Sequence, residues 1–160
     1  MNYAMKYNSL LGKITIASDG ENLIGLWFEG QKYFADTLDK NYAEKSLPVF
    51  DAVKNWLDIY FSGNAPNFTP PIKMNTIEFR KSVYKILLTI PFGKTMTYGE
   101  IAKMLNTSAR AVGNAVAHNS ISLIIPCHRV IGANGNLTGY SGGVDKKLKL
   151  LELEGDIYGK

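Results

Sequence analysis

The chain has 160 residues, 46% of them hydrophobic, with one cysteine, two histidines and a net charge of +4. That length fits one or two small domains, and the apolar content excludes a disordered chain. One cysteine excludes an internal disulfide and suits a reducing compartment, no N-terminal stretch reads as a signal peptide, and no apolar run approaches membrane-spanning length.

The N-terminal part reads as a small sheet and a helix. Ala4–Asn8 and Lys13–Ser18 are expected strands, with Ile14 and Ile16 two apart on one face. Asp19-Gly20 is a hairpin signal, and Asn22–Phe28 is the next strand. A helix is expected over Pro48–Ser62. Ser46 lies near its start, Pro48 suits its first position and Gly63 its C-terminal cap. Its apolar stripe is Val49, Val53, Trp56, Leu57, Tyr60 and Phe61, and Asp51 and Asp58 belong to a solvated face. Asn64–Asn75, with Pro66, Pro70 and Pro71, is the linker candidate. This part carries no evident chemistry, and packing is its expected role.

The character then changes. Residues 1–76 hold seven Lys/Arg against eight Asp/Glu, whereas residues 77–160 hold eleven against six. No carboxylate side chain occurs between Ile101 and Val144, while Lys103, Arg110 and Arg129 do. An acid-free basic stretch suits a surface that meets phosphates, although charge alone does not identify nucleic acid. Thr76–Leu88 is an expected amphipathic helix with Phe79, Val83, Ile86, Leu87 and Ile90 at helical spacing, stopped by Pro91-Phe92-Gly93. Thr97-Tyr98-Gly99-Glu100 has the capping-box pattern, so a helix is expected from Tyr98 to about Leu105. Asn106-Thr107-Ser108 makes a short turn with good N-cap residues, and a second helix covers Ala109–His118. Two short helices on a three-residue turn match a helix-turn-helix. Arg110, Gly113, Asn114 and Ala117 share one face of the second helix. One arginine, one asparagine and small residues permit close approach to DNA without reading many base edges. The alternative is a small-residue helix buried against its neighbour. His118 suits a helix end, where the dipole favours it.

Ile124-Ile125-Pro126-Cys127-His128-Arg129-Val130 organises the rest. A thiol beside an imidazole and a guanidinium has two neighbours that can favour thiolate, the nucleophilic form. Pro126 presents it from a stiff, non-helical segment. The bland reading of Cys127 is a small buried hydrophobe, and Arg129 is open between a structural ion pair and a DNA contact. Tyr140 could be a core aromatic and Ser141-Gly142-Gly143 a plain turn.

Pro126-Cys127-His128-Arg129-Val130, the Arg110-Ala111-Val112-Gly113 helix, Asn119, Gly139-Tyr140-Ser141-Gly142-Gly143 and Leu150-Leu151-Glu152-Leu153-Glu154-Gly155 together resemble the O6-alkylguanine-DNA alkyltransferase family, the methylated-DNA–protein-cysteine methyltransferases. The resemblance is strong from residue 77 to about 155 and loose before that. It implies an α+β fold. Residues 1–75 form a small antiparallel sheet with a helix, ribonuclease-H-like, plus the linker. Residues 76–160 form a mainly helical, winged-helix-like domain with the helix-turn-helix.

The resemblance also implies the chemistry, namely transfer of an alkyl group from O6-alkylguanine in double-stranded DNA to Cys127, once per molecule. His128 then helps deprotonate the thiol through a water, and Glu154 supports His128, with Glu152 its near rival. Tyr98 assists nucleotide flipping and donates to the departing base, and Arg110 fills the gap in the duplex. Gly113 and Asn114 lie on the helix that enters the minor groove. Asn119 is the hinge between that helix and the active-site segment. Tyr140, Ser141, Val130 and Asn119 wall the guanine pocket. O4-methylthymine stays open as a further substrate. No cofactor is expected, because the alkyl group comes from DNA and no Rossmann-type glycine motif is present. No metal is expected, because no cysteine or histidine precedes residue 118. A monomer in the cytoplasm, or in the nucleus of a eukaryote, completes the expectation. Two rival classes are a damage-sensing DNA-binding module with an incompetent thiol and a Cys-His hydrolase or redox protein.

Overall fold

The computed structural model describes residues 2–36, 38, 41–137 and 140–155; Gly139 of the glycine-tyrosine motif lies outside them. The chain divides into two compact units, Met1–Asn75 with Ser120–Ser122, and Thr76–Asn119 with Leu123–Lys160. Among the described residues no helix is long and apolar enough to cross a membrane.

The first unit is built on an antiparallel sheet of β1 (Tyr3–Ser9), β2 (Gly12–Ser18) and β3 (Leu23–Phe28) in sequential order. The Asp19-Gly20 turn forms as its residues require. Asp19 Oδ1 accepts from the amides of Glu21 and Asn22, and Gly20 takes φ +112°. Alternation in β2 suggested one buried face, yet Ile14–Ser18 and all of β3 are buried. Helix α1 (Pro48–Phe61) buries Val49, Phe50, Val53, Trp56, Leu57, Tyr60 and Phe61 and touches all three strands. A separate cluster of Ala17, Ile24 and Trp27 packs with Ala35 and Leu38. Pro48 takes the first helical turn, but Ser46 does not cap it. Leu47 is the N-cap and makes no side-chain bond. Asp58 is exposed and also accepts a hydrogen bond from Tyr7 Oη at 2.6 Å.

The free edge of β3 is covered by two pieces of chain that local pattern did not mark. The Leu23 amide donates to Pro71 O at 2.7 Å, and the Lys73 amide donates to Leu23 O at 2.9 Å. The expected linker is therefore partly a bridging strand at Ile72. Three residues away, Leu26 pairs with Ile121. Both cover backbone groups that an edge strand otherwise leaves open.

The second unit begins with α2 (Glu78–Leu87), two residues later than its sequence pattern suggested. Val83, Tyr84 and Leu87 are its buried residues. Next come β4 (Met96–Thr97), α3 (Tyr98–Met104) and α4 (Ala109–Ala117). The capping box forms as written. Thr97 Oγ1 accepts from the Glu100 amide at 3.0 Å, and Glu100 Oε1 accepts from the Thr97 amide at 3.0 Å. Asn106 turns the chain at φ +53°, and Ser108 Oγ caps α4 through the Ala111 amide at 3.1 Å. Tyr84 Oη donates to Ala115 O at 2.7 Å and ties α2 to α4.

Val112, Ala115 and Val116 form the buried face of α4. Arg110 and Asn114 are exposed, with Gly113 and Ala117 half-buried, so the small-residue face is not the packing face. His118 ends the helix, where its Nδ1 meets Asn114 O at 2.8 Å. A short 3-10 turn (Cys127–Arg129) leads into β5 (Val130–Ile131), which pairs in parallel with β4. The unit closes with α5 (Val144–Leu153).

Candidate active site

Pro126 sits at φ −80°, ψ +68°, and the Cys127 amide donates to Ile125 O at 2.8 Å. This is an inverse γ-turn, for which the fixed φ of proline is suited. The turn delivers Cys127 to the interior, where the residue is 1% exposed. Burial pushes the thiol above its ordinary range. The opposing contributions come from the Asn119 side chain and the Lys147 charge, followed by nearby backbone amides. The side chains of its neighbours in sequence are therefore not among the groups that favour thiolate here. His128 and Arg129 turn instead to Glu154.

That carboxylate is engaged on both of its oxygens. Its Oε2 lies 2.6 Å from His128 Nε2, and its Oε1 accepts from Arg129 Nε at 2.9 Å. A second guanidinium nitrogen reaches Oε2 at 3.3 Å, and the Gly93 amide donates to Oε1 at 2.9 Å. Arg129 also donates to Ile90 O at 2.7 Å and lies over the Phe92 ring, 5.8 Å from its centre. Arg129 thus takes the ion-pair reading. Glu154 rather than Glu152 meets His128, and Glu152 is exposed. Burial raises Glu154, but bonds and charges from His128 and Arg129 outweigh it and hold the carboxyl at about 2. Burial dominates at His128 and lowers its basicity, so the ring is neutral near pH 7. With Nε2 donating to a carboxylate, Nδ1 is the ring's accepting nitrogen.

These two shifts give an acid limit. Below pH 6.5 the unfolded chain protonates its histidine while the folded chain resists. Between 4.5 and about 2 the unfolded glutamate takes a proton that the folded one refuses. In both windows the unfolded state binds more protons, so stability falls as pH falls. Thermal unfolding followed by circular dichroism is expected to show the midpoint dropping below pH 6.5 and again below 4.5. His128→Gln is expected to remove the upper window and, by taking away one of the groups that hold Glu154 down, to narrow the lower one.

The other sequence-derived residues are brought toward this point or lie on α4. Asn119 is 2% exposed and donates from Nδ2 to Ile125 O at 2.8 Å. Val130 is fully buried, Ser141 is half-buried, and the buried Tyr140 ring stands edge-on to His128 at 6.5 Å. Gly142 permits that placement, because a Cβ there would come within 2.6 Å of the Tyr140 ring. Tyr98 opens α3 half-buried, and its ring lies 3.9 Å from where a Cβ on Gly113 of α4 would stand. Burial first, then the Cys127 charge, pushes its hydroxyl up to about 12.

Sequence reasoning missed Lys147. It is fully buried, its Nζ lies 5.6 Å from the centre of the Tyr98 ring, and burial lowers it to about 8 against the pull of Cys127. The signal was present. Lys147, Leu150, Leu151 and Glu154 are spaced i, i+3, i+4 and i+7, so a lysine and a glutamate occupy the apolar stripe of α5. Gly93 was read only as a helix stop, yet its amide binds Glu154 and its φ is +81°.

The model for the 6-O-methylguanine DNA methyltransferase DNA binding domain matches residues 78–156, and that for the ribonuclease-like domain of the same proteins matches residues 2–74. A methylated-DNA–protein-cysteine methyltransferase of Saccharolobus solfataricus is 48% identical over 149 residues, 93% of each chain. The crystal structure of the Mycobacterium tuberculosis O6-methylguanine methyltransferase superposes with a TM-score of 0.85 at 40% identity, covering 96% of this chain and 93% of that one. The OGT of the same organism in complex with DNA gives 0.81 at 38% identity, covering 96% and 91%. Two domain matches that span nearly all of the sequence, and relatives of this similarity across it, establish that the chain belongs to the 6-O-methylguanine DNA methyltransferase family.

Proposed function

We propose that this protein repairs DNA by moving an alkyl group from O6 of guanine in a duplex to the sulfur of Cys127, once per molecule. One observation carries the reading. Tyr98 lies beside α4, the second helix of the helix-turn-helix, and its ring centre is 5.6 Å from Nζ of Lys147, the buried lysine whose charge bears on Cys127. Duplex binding and the thiol are thereby linked within one compact unit. The relatives support the same reaction by their names, and the Mycobacterium tuberculosis protein binds DNA in its complex.

Arg110 and Asn114 stand exposed on α4, with the half-buried Gly113 between them permitting close approach to a groove. The target carbon lies inside the base stack, so the nucleotide must leave it, at a cost of roughly a few kcal/mol. Arg110 fills the gap, and Tyr140, Ser141, Val130 and Asn119 receive the base. Cys127 is covered, so entry of a purine displaces side chains over the sulfur. His128, held by Glu154, accepts the thiol proton by way of a water. Lys147 and Asn119 stabilise the thiolate. Sulfur attacks the alkyl carbon, the S–C bond forms as the O–C bond breaks, and the electron pair leaves on guanine oxygen. Tyr98 donates a hydrogen bond to the departing base, which regains a proton as normal guanine. The thioether has no good leaving group, so the protein is spent. A cytoplasmic monomer, or a nuclear one in a eukaryote, suffices for a reaction that uses one thiol.

Intact-mass spectrometry after incubation with a duplex carrying O6-methylguanine tests this. One added methyl per chain, mapped to the Cys127 peptide and saturating at equimolar DNA, is the expected result. Tight binding without a mass change would instead support a damage-sensing module.

A further inference from the structure

We infer that Arg129 is a positioning residue for alkyl transfer, whose planar fork fixes the Glu154 carboxylate in the orientation that sets the ring and proton of His128. The inference rests on the function proposed above.

Glu154 can orient His128 only if its own plane is fixed, because a carboxylate rotates readily about its last bond. Arg129 meets both oxygens, Nε on Oε1 at 2.9 Å and a terminal nitrogen on Oε2 at 3.3 Å. The guanidinium is itself anchored at its far side by Ile90 O at 2.7 Å and by the Phe92 ring. The Gly93 amide, from the same turn after α2, completes the cradle on Oε1. The 3-10 turn at Cys127–Arg129, the turn after α2 and the end of α5 therefore converge on one carboxylate. A lysine could supply the charge but not two parallel bonds from a rigid plane.

A strut would need no such proximity to the reacting centre, yet Arg129 shares its partner with His128. Its charge also bears on the ring. The groups that bear on His128 are Glu154 and Lys147 from α5 and its end, Arg129 from its own turn, and the Tyr140 ring, which stands edge-on to it. Glu154 favours the imidazolium, whereas Arg129 and Lys147 oppose it. Removing the guanidinium therefore makes His128 more basic and frees the carboxylate to rotate. Both effects reduce the fraction of rings that are neutral and correctly turned.

The chain has only two histidines, so long-range proton–nitrogen NMR can follow each ring, with His118→Gln giving the assignment. The wild type is expected to show a neutral His128 carrying its proton on Nε2 at pH 7. In Arg129→Met the midpoint of His128 is expected to rise by about half a pH unit or more. The acid limb of single-turnover methyl transfer is expected to rise with it. Arg129→Lys keeps the charge, so the midpoint is expected to stay near that of the wild type while transfer slows roughly ten-fold. A folded Arg129→Met protein with an unmoved midpoint, tautomer and rate limb would overturn the inference. Should the methionine variant fail to fold, Arg129→Lys decides, and wild-type transfer in a folded lysine variant would overturn it. A wild type that never gains a methyl group defeats the proposed function instead, and the NMR readings report on Arg129 independently of that result.

Discussion

Glu154→Ala is expected to lower the free energy of unfolding by about 3–5 kcal/mol and to abolish measurable alkyl transfer. The stability loss does not come from deleting a favourable ion pair alone. The carboxylate is fully buried and accepts from Gly93, His128 and twice from Arg129. Alanine leaves a guanidinium with only one-tenth of its side chain exposed and, among the described residues, no other carboxylate paired with it. An uncompensated buried charge is the costly product. Glu154→Gln keeps the shape but offers an amide where every neighbour donates, so it is expected to lie between alanine and the wild type. Urea unfolding at pH 7 measures the loss. A change below about 1 kcal/mol for the alanine variant would mean that water reaches and satisfies Arg129.

Lys147→Met is expected to act in the opposite direction on stability and in the same direction on activity. The amine is ordinarily half-protonated at 10.5 but is held at about 8 in the folded chain. Its folded value is depressed, so the buried ammonium costs stability at pH 7. Methionine, of similar length, removes that cost and is expected to stabilise by up to about 3 kcal/mol. Between about 8 and 10.5 the unfolded chain binds more protons than the folded one, and wild-type stability rises with pH. The advantage of the methionine variant is therefore expected to shrink from pH 7 to pH 10, as chemical unfolding at both values can establish. Transfer is expected to slow about ten-fold or more, because the thiol loses the one charged side chain that lowers its affinity for a proton. A methionine variant that is both less stable and fully active would refute this account. The pair of predictions separates two buried charges at one helix, Lys147 within it and Glu154 at its end: both are expected to serve transfer, but only Glu154 also supports the fold.

Local features of the structure were legible in advance. The Thr97–Glu100 capping box, the Ser108 cap and the Asp19-Gly20 turn depend on residues within four positions of each other, and each forms as read. The exposed face of α4 was also legible from spacing, since Val112, Ala115 and Val116 define the opposite side. The cover of β3 was not, because Ile72 and Ile121 pair with residues about 50 and 95 positions away, and nothing in their surroundings marks a strand. The site divides in the same way. Cys127 and His128 stood out by adjacency, but adjacency does not supply the partner of the ring, a glutamate 26 residues on. Glu154 was reached through the family likeness, not from its neighbours. Lys147 was readable from its place on an apolar stripe, and it was overlooked because three other lysines, Lys146, Lys149 and Lys160, crowd the same end of the sequence.

The arrangement of α5 has a genetic consequence. Its ten residues carry Lys147 and lead directly into Glu154, yet they contain neither the thiol nor any part of the helix-turn-helix. A premature stop codon or a protease cut just before Val144 removes both charged partners of the reacting groups in one event. On the mechanism proposed above, the fragment retains the sulfur and the helix that meets the duplex but not the groups that activate the former. Such a product, if it still folds, occupies lesions without mending them and shields them from other repair.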